Sequence, residues 1–176
     1  MNSEVAMFPG LLGHDFEALD APLQRVHRGD SGVYHGWATV ERGDGWLARL
    51  GCRLAGLPRS AHDLPLRVEL QADARREAWT RWFEGSPAMH SRLEAKGGQL
   101  VERLGPAVAR FALRVAGGAL HWEAVRLQVL GIPLPRSAFD MRAQVHGADG
   151  LYHFAIDARF RGVGTLIRYE GVLYVH

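Results

Sequence analysis

The 176-residue chain predicts a mainly β fold with a minor helical part, a curved antiparallel sheet or barrel-like fold of about nine strands with one or two short N-terminal helices. Apolar and polar residues alternate with period two in most segments after Leu64. The connections are short and carry turn signals such as Lys96-Gly97-Gly98 and Gly105-Pro106, which favours antiparallel neighbours. A sheet of about nine strands, each with one apolar face, curls or closes rather than lying flat.

The run from Asp20 to Arg28 predicts a short helix, with Asp20 as its N-cap and Pro22 in the first turn. Val33 to Arg42 is rich in aromatic and β-branched residues and predicts a strand. Between Asp44 and Pro58 the period changes, because Leu47, Leu50, Leu54 and Leu57 recur at helical spacing. Asp44 is the expected cap of that helix and Gly56 with Pro58 its stop. If its leucines pack on the sheet, Leu50→Ala or Leu54→Ala costs about 2–5 kcal/mol.

Leu66, Val68 and Leu70 then share one face of a strand, opposite Arg67, Glu69 and Gln71. Strands are expected at Glu77 to Glu84, Met89 to Ala95, Gln99 to Leu104, Ala107 to Val115 and Ala119 to Leu130, the last ending at the rigid Gly131-Ile132-Pro133-Leu134-Pro135. Met141 to His146, Tyr152 to Arg161 and Ile167 to Val175 form a three-stranded meander. No linker or internal repeat interrupts the chain, so residues 1–176 are expected to form one domain.

Hydrophobic residues make up 47% of the chain and charged residues 23%, which is the composition of a globular protein with a core. The 21 basic and 19 acidic residues almost balance, and the arginines are spread along the strands from Arg67 to Arg168. That spread is not a nucleic-acid footprint. Cys52 is the single cysteine, so no intramolecular disulfide and no cysteine-rich zinc site forms. Met1 to Gly10 lacks a signal-peptide pattern, and no stretch reaches the roughly 20 apolar residues of a membrane span. The expected location is the cytoplasm.

None of the nine histidines forms a helical i,i+4 zinc pair, and His146 and His153 flank a turn without facing each other in a simple register. No serine sits in a nucleophile elbow, and Cys52 has no base beside it in sequence. Neither a catalytic set, a metal site nor a cofactor motif is therefore expected.

Strand parity singles out other residues. Arg81 shares the face of Trp79 and Phe83, and Glu102 that of Leu100 and Leu104. If both faces are interior, Arg81 and Glu102 form a buried pair that Arg92 or Arg103 joins, and removing either member alone costs about 3–5 kcal/mol. Solvated edge strands are the plainer alternative. Trp37, Trp79, Trp82 and Trp122 are candidates to line a ligand cavity, with ordinary core packing the competing reading.

The ordered landmarks include Gly36-Trp37-Ala38-Thr39-Val40-Glu41-Arg42-Gly43, Leu47-Ala48-Arg49-Leu50 and Gly56-Leu57-Pro58. They continue with Trp79-Thr80-Arg81-Trp82-Phe83, Val101-Glu102-Arg103-Leu104-Gly105-Pro106, Gly131-Ile132-Pro133-Leu134-Pro135 and Leu166-Ile167-Arg168-Tyr169-Glu170-Gly171. From about Leu11 to Tyr174 this series resembles the bacterial domain of unknown function numbered four-one-six-six. The resemblance carries over no catalytic residue. It implies an accessory role near redox metabolism, because members of that family occur alone or behind a saccharopine-dehydrogenase-like NAD(P)-binding domain.

Three functions follow as expectations. The first is a non-enzymatic module for a small apolar or acidic amphipathic ligand, with Arg81 and Glu102 as its polar groups. The second is an enzyme that assembles Arg81, Arg92 and Glu102 around one pocket. The third is a domain that docks on a separately encoded NAD(P)-dependent dehydrogenase. Because no metal-ligand set is visible, adding a chelator is expected to leave the thermal unfolding midpoint unchanged, and a lower midpoint in chelator would contradict this reading.

Overall fold

The computed structural model describes residues 5–175; Met1 to Glu4, part of the stretch read for a signal peptide, and His176 lie outside the described residues. The strands are β1 (Gly32–Arg42), β2 (Ala61–Ala72), β3 (Arg76–Phe83), β4 (Met89–Lys96), β5 (Gln99–Leu104), β6 (Ala107–Ala116), β7 (Ala119–Val129), β8 (Ile132–Leu134), β9 (Phe139–Ala148), β10 (Leu151–Phe160) and β11 (Gly164–Tyr174). All neighbouring pairs are antiparallel, in the order β6-β5-β4-β3-β2-β1-β11-β10-β9-β7. Pairing of β6 with β7 closes this sheet into a ten-stranded barrel, and β8 adds a short eleventh strand on β7. The expected barrel-like fold is the fold observed.

The alternation that predicted the strands also fixes which side chains face the interior. Leu66, Val68 and Leu70 of β2, Trp79 and Phe83 of β3, Met89 and Leu93 of β4, and Tyr152 and Phe154 of β10 are all buried. Each such side chain contributes up to about 1.5–3 kcal/mol by leaving water.

Short helices close one end. Helix α1 (Met7–Leu12), a 3-10 turn (Gly13–Ala18) and helix α2 (Ala21–His27) place Phe8, Leu23, Val26 and His27, all fully buried, on the interior strands. Asp20 was expected to cap α2 but makes no cap bond. Its carboxylate instead accepts from the Gly147 backbone N–H at 2.8 Å in the β9–β10 connection, and its own N–H donates to the Gly118 carbonyl at 2.9 Å in the β6–β7 turn. Both glycines are required for this approach. A Cβ at Gly118, where φ is +80°, would lie 2.1 Å from Asp20 Oδ1, and one at Gly147 would lie 2.6 Å from Asp20 Cβ.

The second helix region folds as helix α3 (Trp46–Leu54), which lies against β11 and β1 at the opposite end of the barrel. Its orientation is the reverse of the expectation. Ala48 and Cys52 are fully buried, whereas Leu50 and Leu54 are 46% and 59% exposed. The helix lies close on the backbone of β11, where Cys52 Sγ donates to the Leu166 carbonyl at 3.3 Å, and its small residues are the ones that pack beneath it. The Arg42 guanidinium then clasps the carbonyls of Leu57 and Pro58 and fixes the exit from α3.

Two further expectations are corrected. Gly131 to Pro135 is not simply a rigid connection, because Leu130 and Gly131 both take positive φ in a tight turn and Ile132–Leu134 returns along β7 as β8. His146 and His153 do face each other, as register partners of β9 and β10 with rings stacked at 4.9 Å.

These placements invert the helix mutagenesis expectation. Leu50→Ala should now change unfolding free energy by no more than about 0.5 kcal/mol, whereas Leu23→Ala, in the buried end plug, should cost about 2–5 kcal/mol in urea denaturation.

Candidate functional site

The strands run alternately between the α2 end, which the plug fills, and the α3 end. Toward the α3 end the barrel encloses a cavity of about 450 Å³, within the size range of small-molecule sites. Its wall is mostly apolar, with Phe83, Met89, Phe111, Leu127, Phe154 and Ile167 among the lining residues. Leu47 and Leu54 of α3, Pro106, Leu130 and Val163 line it where the β5–β6, β7–β8 and β10–β11 connections surround the mouth. At this end β7 and β9 part, since their pairing covers only Leu120 to Glu123 on β7 and β8 pairs with β7 beyond it.

Parity brings four of the six sequence candidates to the cavity: Arg81, Glu102, Trp79 and Trp122. Trp37 is corrected, being 46% exposed on the outer face of β1, because its neighbours Gly36 and Ala38 take the inward positions. Arg92 is also outside, since Ser91 and Leu93 are the buried positions of β4. Arg81, Arg92 and Glu102 are therefore not gathered around one pocket. Trp82 also faces outward, where the Arg67 guanidinium covers its ring at 4.7 Å.

Arg81 and Glu102 face the same cavity but form no ion pair among the described residues, contrary to expectation. Arg81 is opposite Met89, while Glu102 is opposite Leu93, so the two are offset by two strands and by the four-position step from Met89 to Leu93. That corresponds to roughly 9–10 Å across the sheet and ~13 Å along it. Arg81 Nη1 instead donates to Ser91 Oγ at 2.9 Å, and the guanidinium lies 5.1 Å from the Trp79 ring centre.

Between this arginine and the plug lies a buried polar layer. His27 Nε2 and the Tyr152 hydroxyl are hydrogen-bonded at 3.0 Å, and Trp79 Nε1 donates to Glu77 Oε2 at 2.8 Å. His27 also packs against Phe8, Trp79 and Tyr152 rings. Glu77 Oε1, His27 Nδ1 and the Trp122 indole N–H have no hydrogen-bond partner among the described residues. Burial raises the Glu77 carboxyl to about 7, partly offset by the Trp79 bond, and lowers the His27 imidazole to about 3. Burial also raises the Tyr152 and Tyr169 hydroxyls, while the Arg81 charge pulls both back down.

Glu77, Ser91 and His27 were missed in the sequence. Glu77 and Ser91 carry the same signal that found Arg81, since they lie two residues from Trp79 and from Met89 and Leu93 respectively. His27 lies one turn beyond Leu23 on the buried face of α2. Among the described residues no cluster of three or more His, Cys, Asp or Glu side chains is placed to hold a metal.

A protein-family model described as a domain of unknown function (DUF4166) matches residues 19–173. The chain belongs to that family. The match runs from before α2 through all strands of the DUF4166 barrel except the last residue of β11, and it begins after α1, so Phe8 and Phe16 precede it. Among solved structures, the barrel is similar to the zebrafish ileal bile acid-binding protein complexed with cholic acid, with 14% identity and a TM-score of 0.41 over 82% of this chain and 97% of that one. No curated protein matches the sequence.

The buried layer of the DUF4166 barrel gives two opposing pH contributions. Folded Glu77 holds its proton more tightly than the unfolded chain, so its contribution is full below about pH 4.5 and is lost as pH rises to about 7. Folded His27 is neutral, so its contribution is full above about 6.5 and is lost as pH falls toward about 3. In the overlap the two nearly cancel. Glu77→Gln keeps an acceptor for Trp79 and leaves His27 uncompensated. The variant should therefore lose about 2 kcal/mol more than wild type between about pH 7.5 and about pH 5 in urea denaturation. Parallel pH profiles for the two proteins would show that Glu77 does not titrate as its burial requires.

Proposed function

We propose that this barrel is a non-enzymatic binding module for a small apolar acid, its apolar body held in the cavity and its anionic head on Arg81. The observation that carries this reading is a largely apolar cavity of about 450 Å³ whose wall presents an inward guanidinium with no carboxylate partner among the described residues. Ser91 occupies one donor of that guanidinium and orients it over Trp79, leaving its other N–H groups for a ligand. Glu102 disfavours an anion at its own position, which directs an acidic head toward Arg81.

An apolar chain without a head group would gain burial alone and leave the guanidinium without an anion. A carboxylate adds charge-assisted hydrogen bonds in a place where water is scarce. The test is a titration with a dansyl-labelled fatty acid and with its methyl ester. Arg81→Met should weaken acid binding by about 10- to 100-fold and leave the ester within about threefold. Equal losses for acid and ester would remove Arg81 from the site, and no binding of either by wild type would remove the binding reading itself.

A further inference from the structure

The mouth of the cavity is ringed by apolar side chains that the fold leaves uncovered. Trp46, Leu50 and Leu54 form one outward arc of α3, and Trp46 is 68% exposed. Leu130, 72% exposed, and Ile132 project from the β7–β8 hairpin at the same end. Leu47, Leu54 and Leu130 also line the cavity, so the exposed surface and the interior wall are continuous. Other exposed large apolar residues, such as Val33 and Tyr174, are at the plug end of the strands and scattered.

Charge is distributed around this arc with one sign on the helix. Helix α3 contains Arg49 and Arg53 and no acidic residue, and at 100° per residue both arginines fall beside Trp46 and Leu50, on the border of the apolar arc. Neither makes an ion pair among the described residues, and neither do Arg59 and Arg161 at the same end. Glu41, Asp44, Asp63 and Glu84 lie at that end as well and balance these charges, so the arginines of α3 attract an anionic surface only locally and the apolar residues provide most of the contact.

We propose that the mouth end docks on an anionic lipid bilayer and exchanges its apolar acid directly with that surface. This rests on the reading of the cavity given above and names the source of its ligand. An apolar acid is sparingly soluble in water and resides in lipid. An outward Trp/Leu arc bordered by arginines is the pattern of a helix that lies in the headgroup region. A continuous apolar path from that helix into the cavity spares the ligand a passage through water. No helix among the described residues is long and apolar enough to cross the bilayer, so contact through α3 is at its surface.

The experiment is flotation with phosphatidylcholine–phosphatidylglycerol vesicles and with pure phosphatidylcholine vesicles, alongside titration of the dansyl-labelled acid in vesicle-free buffer. Wild type should float with the mixed vesicles and less with pure phosphatidylcholine. Brominated lipid should quench its tryptophan emission, and Trp46→Phe should abolish most of that quenching. Trp46→Ser combined with Leu50→Asp alters two exposed residues outside the cavity lining. It should weaken vesicle binding by about tenfold or more while leaving the vesicle-free affinity for the dansyl acid unchanged. Failure of wild type to float, or flotation unaffected by the double variant, overturns the docking inference. If wild type floats and loses binding in the variant but the dansyl acid never binds in buffer, docking stands and the cavity reading falls.

Discussion

Ten antiparallel strands closed into a ring enclose more space than their own inward side chains fill, and the rest of this structure follows from that surplus. An eight-stranded barrel is just wide enough to be packed by side chains or to hold one small ligand, and diameter grows with strand number. Here the surplus is divided. At one end α1 and α2 insert Phe8, Leu23, Val26 and His27 as a second layer of core. At the other, α3 lies along the wall with its small residues inward and cannot fill the interior, so the space persists as a cavity.

The junction between filled and empty halves is where the polar side chains collect. His27, Tyr152, Glu77, Trp79, Ser91 and Arg81 form a transition from helical plug to open cavity, and each except Arg81 is buried. A purely apolar layer would pack as well. The polar version fixes which way the plug is seated, because His27 has to meet the Tyr152 hydroxyl while Asp20 meets the Gly147 amide. Its cost is ionisation: burial disfavours charge on both His27 and Glu77, and their opposite responses to acid keep that cost nearly constant over the pH range in which both would otherwise titrate.

Much of the barrel was legible because a strand's parity is local information. The neighbours Trp79 and Phe83 alone mark Arg81 as an inward candidate beside the solvated-edge alternative, and the same reasoning applied to Ser91 and Gly36 excludes Arg92 and Trp37. Register was not legible. It depends on how many residues each turn and bulge inserts, so Arg81 and Glu102 fell on one face yet four residues out of alignment. The orientation of α3 failed for a different reason. Its sequence has a face of large apolar residues and a face of small ones, and a helix pressed onto the backbone of a strand buries the small face, whereas hydrophobicity alone selects the large one. Closure itself is a property of β6, β7 and β9 together, and no single segment encodes it.

The small face of α3 also contains the single thiol of the chain. Cys52 is fully buried under the helix, where its Sγ donates to the Leu166 carbonyl of β11 at 3.3 Å, and burial pushes its pKa up. A thiol in that state reacts only when the helix lifts from the strand. The chain thus contains its own clock for the seating of α3: the rate of Cys52 modification by a small alkylating reagent measures how often the helix separates from the barrel wall.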